Sequence, residues 1–104
     1  MLAEFEIVPL GLGGASISGV LAKVAALIDQ SGLDYRVGPM GTTVEGEWDR
    51  VLDLAKRCHE AMLQAAPRVM TTIRIDDRND QPAPGRITRK VASLEAKVGK
   101  SLKK

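Results

Sequence analysis

The period of the apolar residues switches repeatedly along this chain, and the order of the switches limits the folds that it can adopt. Residues 2–9 alternate apolar and polar side chains, as a half-buried strand does. From Ser16 or Ser18 to Gly32, apolar residues recur three and four apart, which predicts a helix. The same patterns predict strands over 33–37, 42–47 and 69–76, a helix from Trp48 to Pro67, and a last helix within 86–98.

The predicted order of elements is β-α-β-β-α-β plus a C-terminal helix, which is the order of the ferredoxin-like fold. Because β-α-β crossovers are right-handed, the first two helices should cover one face of a four-stranded antiparallel sheet. We expect the first and third strands to be parallel neighbours at its centre. The sequence therefore predicts an α+β fold in one domain over residues 1–104, long enough to bury a modest core.

The other face of this sheet is predicted to be polar. Its side chains, taken from the alternation, are Glu4, Glu6, Arg36, Thr43, Glu45, Glu47, Thr72, Arg74 and Asp76. Opposite charges on neighbouring strands can pair there, at about 0.2–1 kcal/mol for each pair. Two interpretations remain open: the face is solvated, or it contacts the sheet of another subunit.

Charge is distributed unevenly along the chain. Residues 86–104 hold seven Lys or Arg and one Glu, a net charge of +6, whereas the remainder holds eight basic and twelve acidic residues, a net charge of −4. Such a basic tail can bind nucleic acid or an acidic surface, although a solvated helix end explains it more simply. Aromatic residues make up only 3% of the chain, so platforms for stacking nucleic-acid bases are nearly absent and nucleic acid is not expected as a partner.

Cysteine usage and hydropathy indicate the cytoplasm. The single cysteine, Cys58, excludes an intramolecular disulfide and suits a reducing compartment. The first residues lack the pattern of a signal peptide, and no apolar stretch approaches the roughly 20 residues that span a bilayer. We expect a cytoplasmic protein that does not enter a membrane.

Residues for catalysis or metal binding are scarce. Cys58 and His59 are adjacent on a predicted helix, so they do not face each other as a nucleophile and base would. A lone histidine without a Cys-x-x-Cys motif cannot supply the usual zinc ligands. The acidic residues of 76–80 lack the glycine and distal glutamate of a calcium loop, and the glycines of 11–16 lack the spacing of a nucleotide-binding loop. We predict no catalytic residue, no metal and no cofactor.

The stretch 37–48, Val-Gly-Pro-Met-Gly-Thr-Thr-Val-Glu-Gly-Glu-Trp, admits two interpretations. Proline and glycine make a tight turn, so the stretch can be a hairpin that serves only the fold. Alternatively, its hydroxyls and carboxylate converge on a small molecule beside the large side chains of Tyr35, Met40 and Trp48, since an apolar slot with a few polar groups is typical of ligand sites. The composition alone leaves both open.

Five motifs run along the chain: Ala3-Glu-Phe-x-Ile-Val-Pro-Leu-Gly, Ser31-Gly-Leu-x-Tyr35, the stretch 37–48, Lys56-Arg-Cys-His-Glu-Ala and Thr71-Thr-Ile-x-Ile-Asp-Asp-Arg. Together they resemble the thiamine-binding protein family, which is similar in fold to a bacterial hydroxymethylpyrimidine/thiamine-binding protein. The resemblance covers residues 2 to about 98. It implies a ferredoxin-like subunit that pairs through its sheet and assembles as a homotetramer, a dimer of dimers.

The resemblance further implies binding of thiamine or hydroxymethylpyrimidine, without catalysis, at sites near subunit interfaces. The ligand-binding residues that it implies are Pro9, Ser16, Tyr35, Met40, Thr42, Thr43, Glu45, Trp48, Thr72 and Asp76. An aminopyrimidine can be met by hydroxyls and a carboxylate, and the thiazolium cation by a carboxylate or an aromatic face. The competing interpretation makes Tyr35 and Trp48 core anchors and pairs the carboxylate of Glu45 with Arg36 or Arg74.

A rival function comes from another class of protein. The charged sheet face and the basic tail could contact a macromolecule, as in an assembly or regulatory protein. Binding by the tail would then weaken steeply with salt. An enzyme of thiamine salvage is a third alternative, and it lacks a nucleophile–base pair.

Overall fold

Four strands and three helices follow one another in the computed structural model, which describes residues 1–12, 18–80 and 85–104. They are β1 (Leu2–Leu10), α1 (Ser18–Gln30), β2 (Asp34–Val37), β3 (Thr42–Glu45), α2 (Trp48–Leu63), β4 (Arg68–Asp76) and α3 (Arg86–Val98). The strands form one sheet in the order β2-β3-β1-β4. The predicted α+β, ferredoxin-like fold is confirmed.

Neighbouring strands in this sheet are antiparallel throughout. The expectation that β1 and β3 are parallel was therefore wrong. The β2–β3 hairpin reverses the chain, and β3 then inserts between β1 and β2. Because the α1 crossover leaves β1 parallel to β2, a strand between them that is antiparallel to one must be antiparallel to both.

The strand register assigns each side chain to a face of the sheet. Ala3 lies opposite Val44 and Ile75, whereas Glu4 lies opposite Thr43 and Arg74. Opposite residues of an antiparallel pair point to the same face. The predicted division into an apolar face and a polar face is thus confirmed for the strands, whereas Glu47, predicted on the polar face, lies beyond β3 at the N-cap of α2.

The first two helices pack on the apolar face and bury an aliphatic core. From α2 the core takes Val51, Leu54, Ala55, Cys58, Ala61 and Met62, and from the sheet Ala3, Phe5 and Val44. Burying an aliphatic side chain of this size stabilises a fold by about 1.5–3 kcal/mol. None of the helices in the described ranges is long and apolar enough to cross a membrane.

Helix α3 lies on the polar face, which is therefore partly covered within the chain itself. Glu45 and Asp76, both on that face, contact the first turn of α3. Ile87 is buried there, whereas Leu94 and Val98 are each 56% exposed. The beginning of α3 is anchored, and its second half projects into solvent.

Candidate functional site

A cleft of about 970 Å³ lies between α3 and the polar sheet face. Strand residues such as Leu2 and Thr43 line its floor, and residues from Ile87 to Glu95 line one wall. The opposite rim is the β2–β3 turn, residues 37–41. Its volume falls at the upper end of the range usual for small-molecule pockets, roughly 300–1,000 Å³.

The rim is a tight turn whose tip is open to solvent. The backbone N–H of Gly38 donates to the carbonyl of Gly41 at 2.9 Å, which closes the turn, and Met40 at the tip is 80% exposed. A Cβ on Gly41 would lie 3.3 Å from the Phe5 carbonyl oxygen and 3.5 Å from Cγ of Glu4. A side chain at position 41 would therefore crowd the backbone of β1 and the Glu4 side chain.

Glu45 is a buried carboxylate at the end of β3, only 4% exposed. Its Oε1 accepts from the N–H groups of Gly85 and Ile87 at 3.2 and 3.1 Å, and its Oε2 from that of Arg86 at 3.1 Å. These donors belong to the first turn of a helix, where no intrahelical acceptor exists. The negative charge also lies at the positive end of the helix dipole, where it is favourable. Glu45 thus caps α3.

Glu45 does not pair with Arg36 or Arg74, as the competing interpretation expected. Arg36 donates to Asp34 at 2.9 Å and to the Thr88 hydroxyl at 3.3 Å. Arg74 lies 3.8 Å from Glu4, its neighbour across the β1–β4 pair. That cross-strand pairing of opposite charges agrees with the predicted behaviour of the polar face.

Asp76 ties the end of β4 to the same helix. Its Oδ2 accepts from Nη2 of Arg86 and from Nζ of Lys90, both at 3.0 Å, and its carbonyl accepts from Nη1 of Arg86 at 3.1 Å. Lys90 and Arg86 together hold the pKa of Asp76 below its usual value. Arg86 is itself only 3% exposed, and the ion pair with Asp76 compensates the cost of burying its guanidinium.

Glu95 and Lys104 line the other end of the cleft. Oε2 of Glu95 accepts from the backbone N–H of Leu102 at 2.6 Å and from Nζ of Lys104 at 2.8 Å. The Lys104 ammonium, followed by the Leu102 N–H, lowers the pKa of Glu95 to about 2. The basic tail therefore folds back on α3 and uses part of its charge within the chain.

Three of the residues implied by the family resemblance line the cleft: Met40, Thr43 and Asp76. Glu45 lies beside it under α3. The rest lie elsewhere: Pro9, Tyr35 and Thr42 on the face covered by α1 and α2, Trp48 at the start of α2, and Thr72 exposed on β4. Tyr35 Oη donates to Asp29 at 2.6 Å, and this bond raises the pKa of Tyr35. Ser16 lies outside the described residues.

Several lining residues on α3 had no functional signal in the sequence, among them Ile87, Lys90 and Val91. Their spacing predicts one packed face of a helix. It does not say which face of the sheet that helix covers, and only the contacts of Glu45 and Asp76 decide this.

The remaining candidates for reactive chemistry lie away from the cleft. Cys58 is fully buried, and burial raises the pKa of its thiol to about 11. Nδ1 of His59 lies 2.6 Å from the Thr71 hydroxyl. Asp80 is paired with Arg78, and the described residues contain no cluster of three His, Cys, Asp or Glu that could hold a metal ion.

Comparison with known proteins identifies the family. The family model described as "Thiamine-binding protein" matches residues 3–95. A UPF0045 protein of Methanothermobacter thermautotrophicus is 37% identical over 98 residues, which cover 92% of this chain and 97% of that protein.

Solved structures agree with this assignment. The crystal structure of a hypothetical protein from Methanocaldococcus jannaschii superposes with a TM-score of 0.78 at 33% identity, covering 89% of this chain and 93% of that one. That of a putative thiamine biosynthesis/salvage protein from Thermotoga maritima superposes with a TM-score of 0.74 at 27% identity, covering 89% and 96%. The chain is therefore a member of the thiamine-binding protein family.

Proposed function

We propose that this chain is a non-enzymatic binding protein for thiamine or its hydroxymethylpyrimidine moiety, and that the ligand occupies the cleft between α3 and the sheet. The observation that carries the proposal is the position of Thr43. It belongs to the most specific motif of the family resemblance and lines the floor of the cleft, between the turn and the wall of α3.

The chemistry of the cleft suits a flat heterocycle with polar edges. Leu2, Ile87 and Val91 offer apolar surface, and Met40 adds a polarizable thioether at the rim. The Thr43 hydroxyl can donate to a pyrimidine ring nitrogen or accept from an exocyclic amine. Four cationic and three anionic side chains line the cleft, so it does not select strongly for either sign of charge.

Glu4 is the carboxylate best placed to meet the positively charged thiazolium. Its side chain is 48% exposed and is approached by Arg74 only at 3.8 Å. In contrast, Asp76 and Glu95 each accept two donors within 3.0 Å. A ligand cation therefore competes with fewer contacts at Glu4.

Binding without catalysis is favoured by the composition of the walls. The described residues that line the cleft include no cysteine, histidine or serine. Covalent catalysis needs a nucleophile activated by a neighbouring base, whereas Lys90 and Lys104 of the lining are engaged in ion pairs with Asp76 and Glu95. We infer a role in storing, carrying or sensing the ligand in the cytoplasm.

We also infer that the protein assembles as a homotetramer, a dimer of dimers, with the sites near subunit interfaces. Apolar surface is available for such contacts on β4, where Met70, Ile73 and Ile75 are exposed, and on α3, at Leu94 and Val98. β4 is also an edge strand. Native mass spectrometry tests this assembly directly, and a monomer at micromolar concentration contradicts it.

Thermal unfolding with increasing thiamine or hydroxymethylpyrimidine tests the ligand. Binding to the folded state adds RT ln(1 + [L]/Kd) to stability, about 2.7 kcal/mol at a hundredfold excess over Kd. Thr43→Val should weaken binding about 5- to 10-fold, since a hydrogen bond contributes about 1 kcal/mol. Glu6→Gln, a change on the same face outside the cleft, should leave it unchanged. Unchanged melting temperatures with both compounds at millimolar concentration contradict the proposal.

A further inference from the structure

The position of α3 sets the width of the cleft. One wall consists of residues of this helix from Ile87 to Glu95, and the facing surface belongs to the sheet. A shift of α3 away from the sheet would therefore separate the two surfaces that a flat ligand must contact together.

The backbone N–H groups in the first turn of α3 are capped by a side chain of the sheet and not by residues next to them in the sequence. The residue before the helix is Gly85, at φ +97°, which has no side chain to cap the helix, and the first turn contains no acidic residue. Glu45 supplies the missing acceptor from a distance of 40 residues or more along the chain, with three hydrogen bonds to backbone N–H groups. Asp76 adds a second tie through Arg86.

These two acids lie in one row of the sheet, on either side of Leu2, which is part of the floor of the cleft. Thr43 is two residues before Glu45 and points to the same face. One short strand therefore supplies both a side chain of the floor and the anchor of the wall. The second half of α3, where Leu94 and Val98 are exposed, adds little further restraint.

We propose that Glu45 is a positioning residue of the binding site, which fixes α3 over the cleft and thereby controls ligand affinity without touching the ligand. Both of its oxygens accept hydrogen bonds from α3 and the residue is only 4% exposed, so its carboxylate is not accessible to a ligand in the cleft. The inference rests on the proposed function, because it takes the cleft to be the binding site. Since coupling between two events is reciprocal, the ligand should in turn hold α3 on the sheet.

Hydrogen exchange and thiamine titration test this on the full chain. In Glu45→Gln, the amides of Gly85, Arg86 and Ile87 should exchange at least about tenfold faster, and the Kd for thiamine should rise about tenfold or more, because bonds to a charged acceptor are lost. In the unchanged protein, saturating thiamine should slow exchange at the same three amides. A merely structural role for Glu45 predicts an unchanged Kd in the folded Glu45→Gln variant.

Two matched variants complete the design. Glu6→Gln makes the same change on the same face outside the cleft, and should alter neither quantity. Leu54→Ala removes buried volume from α2 and should lower global stability while leaving the Kd unchanged. If Glu45→Gln does not fold, Glu45→Asp replaces it: the carboxylate is kept but lies one carbon further from α3. The increases in amide exchange and in Kd should then be smaller but in the same direction.

The outcomes separate the inference from the proposed function. A faster exchange of the three amides with an unchanged Kd overturns the positioning role and leaves thiamine binding intact. Unchanged exchange in Glu45→Gln overturns it as well, whatever the Kd. If the unchanged protein binds neither thiamine nor hydroxymethylpyrimidine, the proposed function fails and the positioning role fails with it.

Discussion

Gly46 follows Glu45 at the junction of β3 and α2, and replacing it by alanine should destabilise the fold through packing. Its φ is not among the positive values that favour glycine, so alanine can adopt the backbone conformation. A Cβ at this position would, however, lie 2.7 Å from Cδ2 of Leu33 and 3.3 Å from Cγ2 of Val51. The glycine is needed for space.

The magnitude follows from which neighbour can move. Val51 is fully buried on α2, and Leu33 is 8% exposed, so both are held by the core. Inserting a methyl group into such a core costs about 1–3 kcal/mol. The atom at 2.7 Å is the end of a leucine side chain, which can rotate, so we expect Gly46→Ala to lower the free energy of unfolding by about 1–2 kcal/mol.

Urea denaturation followed by circular dichroism measures this, and a double-mutant cycle identifies the cause. Leu33→Ala alone should cost about 2–5 kcal/mol. Combined with Gly46→Ala, the added methyl occupies part of the vacated space, so the double variant should be at least about 1 kcal/mol more stable than the sum of the single changes. Additive losses would show that the leucine is not what excludes a side chain at position 46.

Three further predictions follow from burial and charge. Leu54→Ala in α2 should cost about 2–5 kcal/mol in urea denaturation, whereas Leu94→Ala in α3, at a residue 56% exposed, should stay within about 0.5 kcal/mol, and equal losses would contradict the assignment of the core. The pKa of Glu95 is lowered from 4.5 to about 2, so its contact with the tail is favourable above pH 4.5 and should be lost as the pH falls towards 2. The chemical shift of the Leu102 amide reports this loss, and a shift that does not change over that range would contradict the prediction. Cys58 should react with iodoacetamide at pH 7.5 at least about 100-fold more slowly than a free thiol, since its pKa is about 11 in place of 9, and should react normally in urea.

The sequence was sufficient for the elements and for the two faces of the sheet. Period 2 along β1 and β4, and the apolar stripe of α2, depend on neighbouring residues, and local patterns of this kind can be interpreted without knowing the rest of the fold. The predicted second helix began at Trp48, as observed. The direction of β3 was wrong because it follows from the insertion of that strand between β1 and β2, which is a property of the topology.

The site was less predictable because it too depends on the topology and not on local patterns. Glu45 was correctly assigned to the polar face, but its partners are backbone N–H groups at Gly85–Ile87, and no side-chain pattern marks a backbone donor. The wall of the cleft is formed by α3, whose apolar spacing is compatible with either face. Contacts of Glu45 with residues 40 or more positions away decided both questions, together with those of Asp76 at 10 and 14 positions.

Three consecutive residues of the motif that carries the family resemblance have structural roles. Val44 is fully buried in the core, Glu45 caps α3, and Gly46 leaves room for Leu33. Of residues 43–46, only Thr43 lines the cleft. Much of the resemblance in this stretch therefore reflects how the cleft is built. The choice among related heterocycles then depends on the motif residues that do line the cleft, residues 37–41 and Thr43, and on charged lining residues outside the motif such as Glu4 on β1 and Lys90 on α3.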